Sequence, residues 1–206
     1  MLLWRAMAAI EHVIFDLGGV LIDWNPRYLY RKLIGSEAEI ERFLSEVCPP
    51  EWNALHDAGQ PFAKGIADAI ERHPHDAPLI RAYFDRWPEM LGGVIEDTLA
   101  LLERVKARAQ PVFALTNWSA ETFPWALRRY PFLSDFDSIL VSGEHGLAKP
   151  DPEIFELARR RFDVDPARTL FIDDSLPNVE SAKRLGFQVH HFVDATQLEP
   201  VLKTLP

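Results

Sequence analysis

A chain of 206 residues, 48% hydrophobic and 26% charged, can bury a full core and has the composition of an ordinary globular protein. Its formal net charge of −9 argues against nucleic acid or an anionic membrane as partner, although a single lysine or a bound metal reverses the local sign for a small anionic ligand. The one cysteine, Cys48, excludes an intrachain disulfide and a multi-cysteine metal site, and fits a cytoplasmic location.

The opening residues Met1 to Ala9 lack a basic region followed by a long apolar run, so no signal peptide is expected, and Met7 is an alternative start. No apolar stretch approaches the ~20 residues of a membrane span. The first predicted strand is His12–Phe15, followed by Asp16 and the pair Gly18-Gly19. Residues 24–92 are rich in Leu, Ala, Glu, Arg and aromatics and are broken by Gly35, Pro49-Pro50, Gly59-Gln60-Pro61, Pro74 and Pro78. They read as an inserted cap of three or four short helices, including Glu37–Val47, Pro61–Arg72 and Pro78–Trp87.

A helix over Ile95–Ala109 precedes a second strand, Val112–Leu115, which runs into Thr116-Asn117. The segment after Asn117 has no clear assignment, because Pro124 restricts where a helix can begin. Strand three is Ser138–Val141. Asp151-Pro152-Glu153 then opens a helix with a cap residue and an N-terminal proline; its inner face is Ile154, Phe155, Ala158 and Phe162. Strand four, Thr169–Ile172, runs into Asp173-Asp174. A helix from about Asn178 to Leu185 stops at Gly186, and Gln188–Phe192 is strand five. Short apolar runs of this kind read as parallel strands covered on both faces. Alternation with helices makes the fold class α/β: a doubly wound Rossmann-like parallel sheet, with a core of residues 1–23 and 93–206 and a helical cap of residues 24–92.

The polar residues collect where such strands end, and in an open α/β sheet ligands bind at that edge. A carboxylate at Asp16 can attack phosphorus and form an aspartyl-phosphate. Asp173 and Asp174 can join it around one Mg²⁺, which favours a few carboxylates plus water and phosphate oxygens. Lys149 would supply the second positive charge at the transferring group. The Thr116 hydroxyl and the Asn117 amide can donate to phosphate oxygens. Singly, each segment has an ordinary alternative: a strand-end Asp is a common cap or turn residue, Thr-Asn is turn chemistry, and Lys-Pro is a solvated lysine ahead of a helix.

The four segments in order, Phe15-Asp16-Leu17-Gly18-Gly19-Val20-Leu21, Leu115-Thr116-Asn117, Lys149-Pro150-Asp151-Pro152 and Phe171-Ile172-Asp173-Asp174-Ser175-Leu176-Pro177-Asn178, resemble the haloacid dehalogenase-like superfamily. The resemblance covers about Ile10 to Phe192 and is nearest to small bacterial sugar-phosphate phosphatases whose first motif reads Asp-Leu-Gly. It implies a Mg²⁺-dependent phosphatase acting on a small phosphorylated metabolite. Asp16 would be the nucleophile, Lys149, Thr116 and Asn117 would hold the phosphoryl group, and Asp16, Asp173, Asp174 and the Gly18 carbonyl would hold the metal. It also implies a monomer or homodimer.

One position departs from that family. Most of its phosphatases carry a second aspartate two residues after the nucleophile, and here that residue is Gly18. General acid–base help is worth roughly 10²–10⁴-fold. Its loss leaves a slow enzyme, a preference for good leaving groups, or a substitute among Asp23, His56 and Asp57. The gap also admits a 2-haloacid dehalogenase, which needs no metal, with Arg27 and Arg31 available to hold its substrate; Asp173-Asp174 argues against it. A phosphate-binding module without turnover is the third reading. Trp24, Trp118 and Trp125 are candidates to line the cleft or to pack at its seam. His190-His191 and Cys48 read as structural.

Overall fold

The computed structural model describes residues 9–205; the expectations for the leader and for Met7 fall outside them. In chain order the elements are β1 (His12–Phe15), β2 (Ile22–Trp24), α1 (Arg27–Tyr30), α2 (Glu37–Arg42), α3 (Pro50–Asp57), α4 (Phe62–Arg72), α5 (Ala77–Asp85), β3 (Leu91–Val94), α6 (Glu96–Lys106), β4 (Val112–Thr116), α7 (Phe123–Arg129), β5 (Ser138–Val141), α8 (Pro152–Phe162), β6 (Thr169–Asp173), α9 (Leu176–Arg184), β7 (Gln188–His191) and α10 (Ala195–Lys203). Among the described residues no helix is long and apolar enough to cross a membrane.

Five strands form a parallel sheet in the order β5-β4-β1-β6-β7. Their alternate side chains enter two different cores. Val13, Phe15, Ala114, Leu170 and Ile172 pack with Leu101, Leu102 and Val105 of α6 and Leu198 and Leu202 of α10. Ile14, Phe113, Leu115 and Phe171 pack on the other face with Ile154, Phe155, Ala158 and Phe162 of α8 and Ala182 of α9. Burial on both faces is why the strands are apolar at consecutive positions. β7 is a half-buried strand at the edge of the sheet.

The chain leaves β1, builds β4 and β5 on one side, then crosses to β6 and β7 on the other. The order therefore reverses beside β1, and the carboxyl end of β1 is the switch point where ligands bind in such sheets.

Local chemistry explains most boundaries. Asp151 caps α8 by accepting from the Glu153 N–H at 2.9 Å, with Pro152 at the first position. Gly186, at φ +92°, ends α9 as a left-handed cap, with Gly186 N–H donating to the Lys183 carbonyl and Phe187 N–H to the Ala182 carbonyl. Pro124 sits in the first turn of α7, the place a helix tolerates it, so the region left unassigned is helical. α6 stops three residues short of the expected end, because Ala109 turns left-handed (φ 54°) before Gln110-Pro111.

Between β2 and β3 lie five α-helices rather than three or four. β2 and β3 pair antiparallel and carry the chain out of the core and back. The segment expected as one helix over Glu37–Val47 is α2 followed by a wider π-type turn over Phe43–Val47, where Cys48 N–H reaches the Phe43 carbonyl. Pro49-Pro50, read as a break, instead opens α3 with Pro50 in its first turn.

Candidate active site

Asp16 follows β1 directly, and its N–H donates to the Ile172 carbonyl, which extends the β1–β6 pairing by one residue. The loop after it closes on itself: Gly19 N–H donates to Ile22, and Leu21 and Ile22 N–H both donate to Leu17. Gly19 has φ +72°, and a Cβ there would stand 2.2 Å from Asp174 Oδ2. The left-handed backbone favours glycine there, and any larger residue would also push the Asp174 carboxylate aside.

Lys149 Nζ is the hub beneath. It donates to Asp173 Oδ2 at 2.7 Å and to the Leu115 carbonyl at 2.8 Å, and lies 3.1 Å from Asp16 Oδ1. Those three acceptors use all three ammonium donors. Asp16 Oδ1 also accepts from the Leu17 N–H at 2.7 Å. Asp173 is wholly buried and fully engaged, accepting from Lys149, from Ser175 N–H at 2.8 Å and from Asn178 Nδ2 at 3.0 and 3.1 Å. It holds the lysine in place. Asp174 is exposed, and its backbone carbonyl accepts from His191 Nε2.

Carboxylate oxygens of Asp16, Asp173 and Asp174 lie within 4.8 Å of one another. Three carboxylates therefore share a single lysine. Burial pushes the Asp16 carboxyl up to about 7; Lys149 opposes this, and Asp173 and Asp174 add to it. Burial also raises the Asp174 carboxyl, reinforced by Asp173. Lys149 stays charged: burial works against it, but Asp16 and Asp173 more than offset that and raise it. An excess of close, hard oxygen donors over positive charge suits a divalent cation such as Mg²⁺.

A cavity of about 240 Å³ opens above this cluster, lined at the sheet edge by Asp16, Gly18, Gly19, Asn117 and Asp174. Its other walls are Trp24, Trp118, Thr122 and, from the helical segment, Asn53, Asp57, Phe62 and Trp87. Trp125 is not in the lining and packs against Phe84 and Trp87 instead. Thr116 is buried at the end of β4, outside the lining. Asn117 lines the cavity, but its Nδ2 donates to the Lys149 carbonyl and its Oδ1 accepts from the Lys149 N–H.

Four residues lining the cavity, Asn53, Phe62, Trp87 and Thr122, escaped the sequence reading. Asn53 lies one helical turn before Asp57 and donates to its Oδ2 at 2.8 Å; the i, i+4 spacing was the available signal. Phe62, Trp87 and Thr122 carried none, since only the fold brings them in; Asn178 ends the fourth motif, but its bonds to Asp173 were not read from it.

A family model for haloacid dehalogenase-like hydrolases matches residues 10–186. A sesquiterpene phosphatase of Aspergillus oryzae is 28% identical, over 88% of this chain and 89% of its own length. A phosphorylated-carbohydrate phosphatase of Thermotoga maritima is 29% identical, over 87% and 83%. A haloacid dehalogenase family enzyme from Bacteroides thetaiotaomicron, solved in complex with magnesium and inorganic phosphate, superposes with a TM-score of 0.69 at 27% identity, over 92% of this chain and 99% of that one. An L-2-haloacid dehalogenase superposes at 0.70 and 20% identity, over 95% and 100%, a likeness of fold alone. With the model spanning most of the sequence, this chain belongs to the haloacid dehalogenase-like hydrolase family.

Proposed function

We propose that this protein is a Mg²⁺-dependent phosphatase that hydrolyses a small phosphorylated metabolite through an aspartyl-phosphate on Asp16. The observation that carries the reading is the placement of Asp16 on a cavity wall, 3.1 Å from a buried lysine and within 4.8 Å of two further carboxylates. The phosphatases among its relatives support it.

Asp16 and Asp174, which face the cavity, and the Gly18 carbonyl would hold the metal, with Asp173 adding charge from behind. Bound there, Mg²⁺ would neutralise the carboxylates and phosphate oxygens that otherwise repel one another. Asp16 attacks phosphorus in line with the leaving oxygen. Lys149 fixes the attacking carboxylate, and its charge balances the phosphoryl group. Asn117 holds the Lys149 backbone, and Thr116 supports the end of β4 beneath it. Water then cleaves the aspartyl-phosphate. Residues 24–92 act as the cap and exclude bulk water while they cover the cavity. Trp24, Trp87, Trp118 and Phe62 give this cavity flat apolar walls suited to the carbon skeleton of a small alcohol.

A phosphate-release screen over phosphorylated metabolites, with and without Mg²⁺, tests the reading beside Asp16→Asn and 2-chloropropionate. Metal-dependent release that disappears in Asp16→Asn is expected. Metal-independent chloride release would make the protein a dehalogenase, and phosphate binding without turnover would make it a binding module.

A further inference from the structure

Cleavage at Asp16 leaves one chemical requirement open. As the P–O bond breaks, the departing alkoxide of an ordinary alcohol needs a proton, and Gly18 offers no side chain to give it. In-line attack places the leaving oxygen on the side of phosphorus away from Asp16, so a donor has to stand across the cavity. Among the residues lining it, the carboxyl groups are Asp16, Asp174 and Asp57. The first two belong to the acidic cluster. Asp57, at the end of α3, reaches the cavity from the helical insert rather than from the sheet edge.

Its position is built, although it lies on the helical insert. Asp57 Oδ2 accepts from Asn53 Nδ2 at 2.8 Å, and Asn53 Oδ1 accepts from the Tyr83 hydroxyl at 3.1 Å. The Asp57 carbonyl accepts from Ser142 Oγ, beyond β5, at 2.5 Å. Two residues on, a Cβ at Gly59 would lie 3.2 Å from the Gly143 carbonyl, so the turn presses directly on the core loop. The other substitutes are occupied elsewhere. His56 is wholly buried and stacked on Phe62 at 3.9 Å, outside the lining, and Asp23 accepts from the Tyr28 hydroxyl at 2.6 Å, also outside it.

We propose that Asp57 is the general acid and base of this site. Its carboxyl gives a proton to the leaving oxygen as the P–O bond breaks and the Asp16–phosphorus bond forms. The resulting carboxylate then takes a proton from the water that attacks phosphorus, which releases inorganic phosphate, frees Asp16 and reprotonates Asp57. The proposal rests on the phosphatase reading. Burial raises the Asp57 carboxyl to about 7, against a Ser119 backbone hydrogen bond and the charge of Lys149, so at neutral pH both forms that the two half-reactions need are present. The titratable groups around it are Lys149, the cavity-lining Asp16 and Asp174, and the Tyr83 phenol, which is itself held far above its usual range, first by burial and then by Asp57.

The test is leaving-group dependence. Wild type, Asp57→Asn and Asp16→Asn are assayed with Mg²⁺ on an alkyl phosphate and on 4-nitrophenyl phosphate, whose departing phenolate needs no proton. Asp57→Asn should lose roughly 10²–10⁴-fold in kcat/KM, which reports transfer to Asp16, on the alkyl ester and under tenfold on the aryl ester, while kcat, which includes the shared hydrolysis of the aspartyl-phosphate, falls on both. Equal losses in kcat/KM on both esters, or none, overturn the assignment while leaving Asp16-dependent turnover intact. If neither ester is cleaved by wild type, or Asp16→Asn matches it, the phosphatase reading fails and takes this one with it. Should Asp57→Asn not fold, wild type alone decides: kcat/KM nearly independent of leaving-group pKa, with an alkaline limb seen only for alkyl esters, supports Asp57, and a steep dependence refutes a proton donor.

Discussion

The side chain of Asn117 and the backbone of Lys149 hold each other by two equal hydrogen bonds: Lys149 N–H donates to Asn117 Oδ1 and Asn117 Nδ2 donates to the Lys149 carbonyl, each at 2.8 Å. A side-chain amide here does the work of a strand partner, tying the end of β4 to the segment that delivers the buried lysine. Asn117→Ala leaves both backbone groups unpaired. It should cost about 1–3 kcal/mol in urea unfolding and lower kcat more than it raises KM. A KM effect alone would restore Asn117 to a role in substrate binding.

Lys149→Met removes the cation shared by Asp16 and Asp173. Breaking a buried pair by taking one partner costs about 3–5 kcal/mol, because the remaining charge is stranded. The deficit at pH 8 should shrink toward pH 5, where the Asp16 carboxyl, already raised to about 7 by burial, holds its proton. A deficit independent of pH would mean that lost packing, rather than lost charge, is responsible.

Metal removal gives a separate readout. Mg²⁺ bound only by the folded protein stabilises it by about 2.7 kcal/mol at one hundred times Kd. The melting temperature of wild type should therefore rise with Mg²⁺ and fall back with EDTA. Asp174→Asn, lacking one of the two cavity-facing carboxylates, should lose most of that shift. An undiminished shift would place the ion elsewhere.

Asp57 links stability to pH. Its carboxyl is ordinary in the unfolded chain, at 3.8, and burial raises it to about 7 in the fold. Between those values the folded state holds the proton that the unfolded state has lost, so this contribution is full below about pH 4 and is lost as pH rises through 7. Relative to Asp57→Asn, wild type should be progressively less stable from pH 5 to pH 8 in denaturant titrations. A difference that stays constant would show that the side chain ionises as freely in the fold as out of it.

Gly19→Ala tests how tightly the first loop encloses the acidic cluster. The substitution strains a backbone at φ +72° and places a methyl 2.2 Å from Asp174 Oδ2. A left-handed alanine costs about 1–2 kcal/mol by itself, and displacement of Asp174 should remove Mg²⁺-induced stabilisation as well. Gly18, where a Cβ meets nothing within 4 Å, should accept alanine with a far smaller effect on Mg²⁺ binding.

Much of the molecule was legible in its sequence because the relevant forces act over a few residues. Consecutive apolar residues reported strands covered on both faces, Asp151-Pro152 and Gly186 reported helix ends, Asp16 and Asp173-Asp174 fell at strand ends, and Lys149 fell in the loop just ahead of the α8 cap. Pairing between distant segments left no such mark. The three-residue β2 acquires its partner only from the far end of the helical insert, and Pro50 opens a helix where proline by itself suggested a stop. Tertiary structure alone decided that Asn117 braces the backbone of Lys149 and that Asp57 reaches the cavity while neighbouring His56 is packed away. Periodicity and capping record what a residue does to its own turn of chain; which side chains converge depends on how whole elements bury their faces against one another.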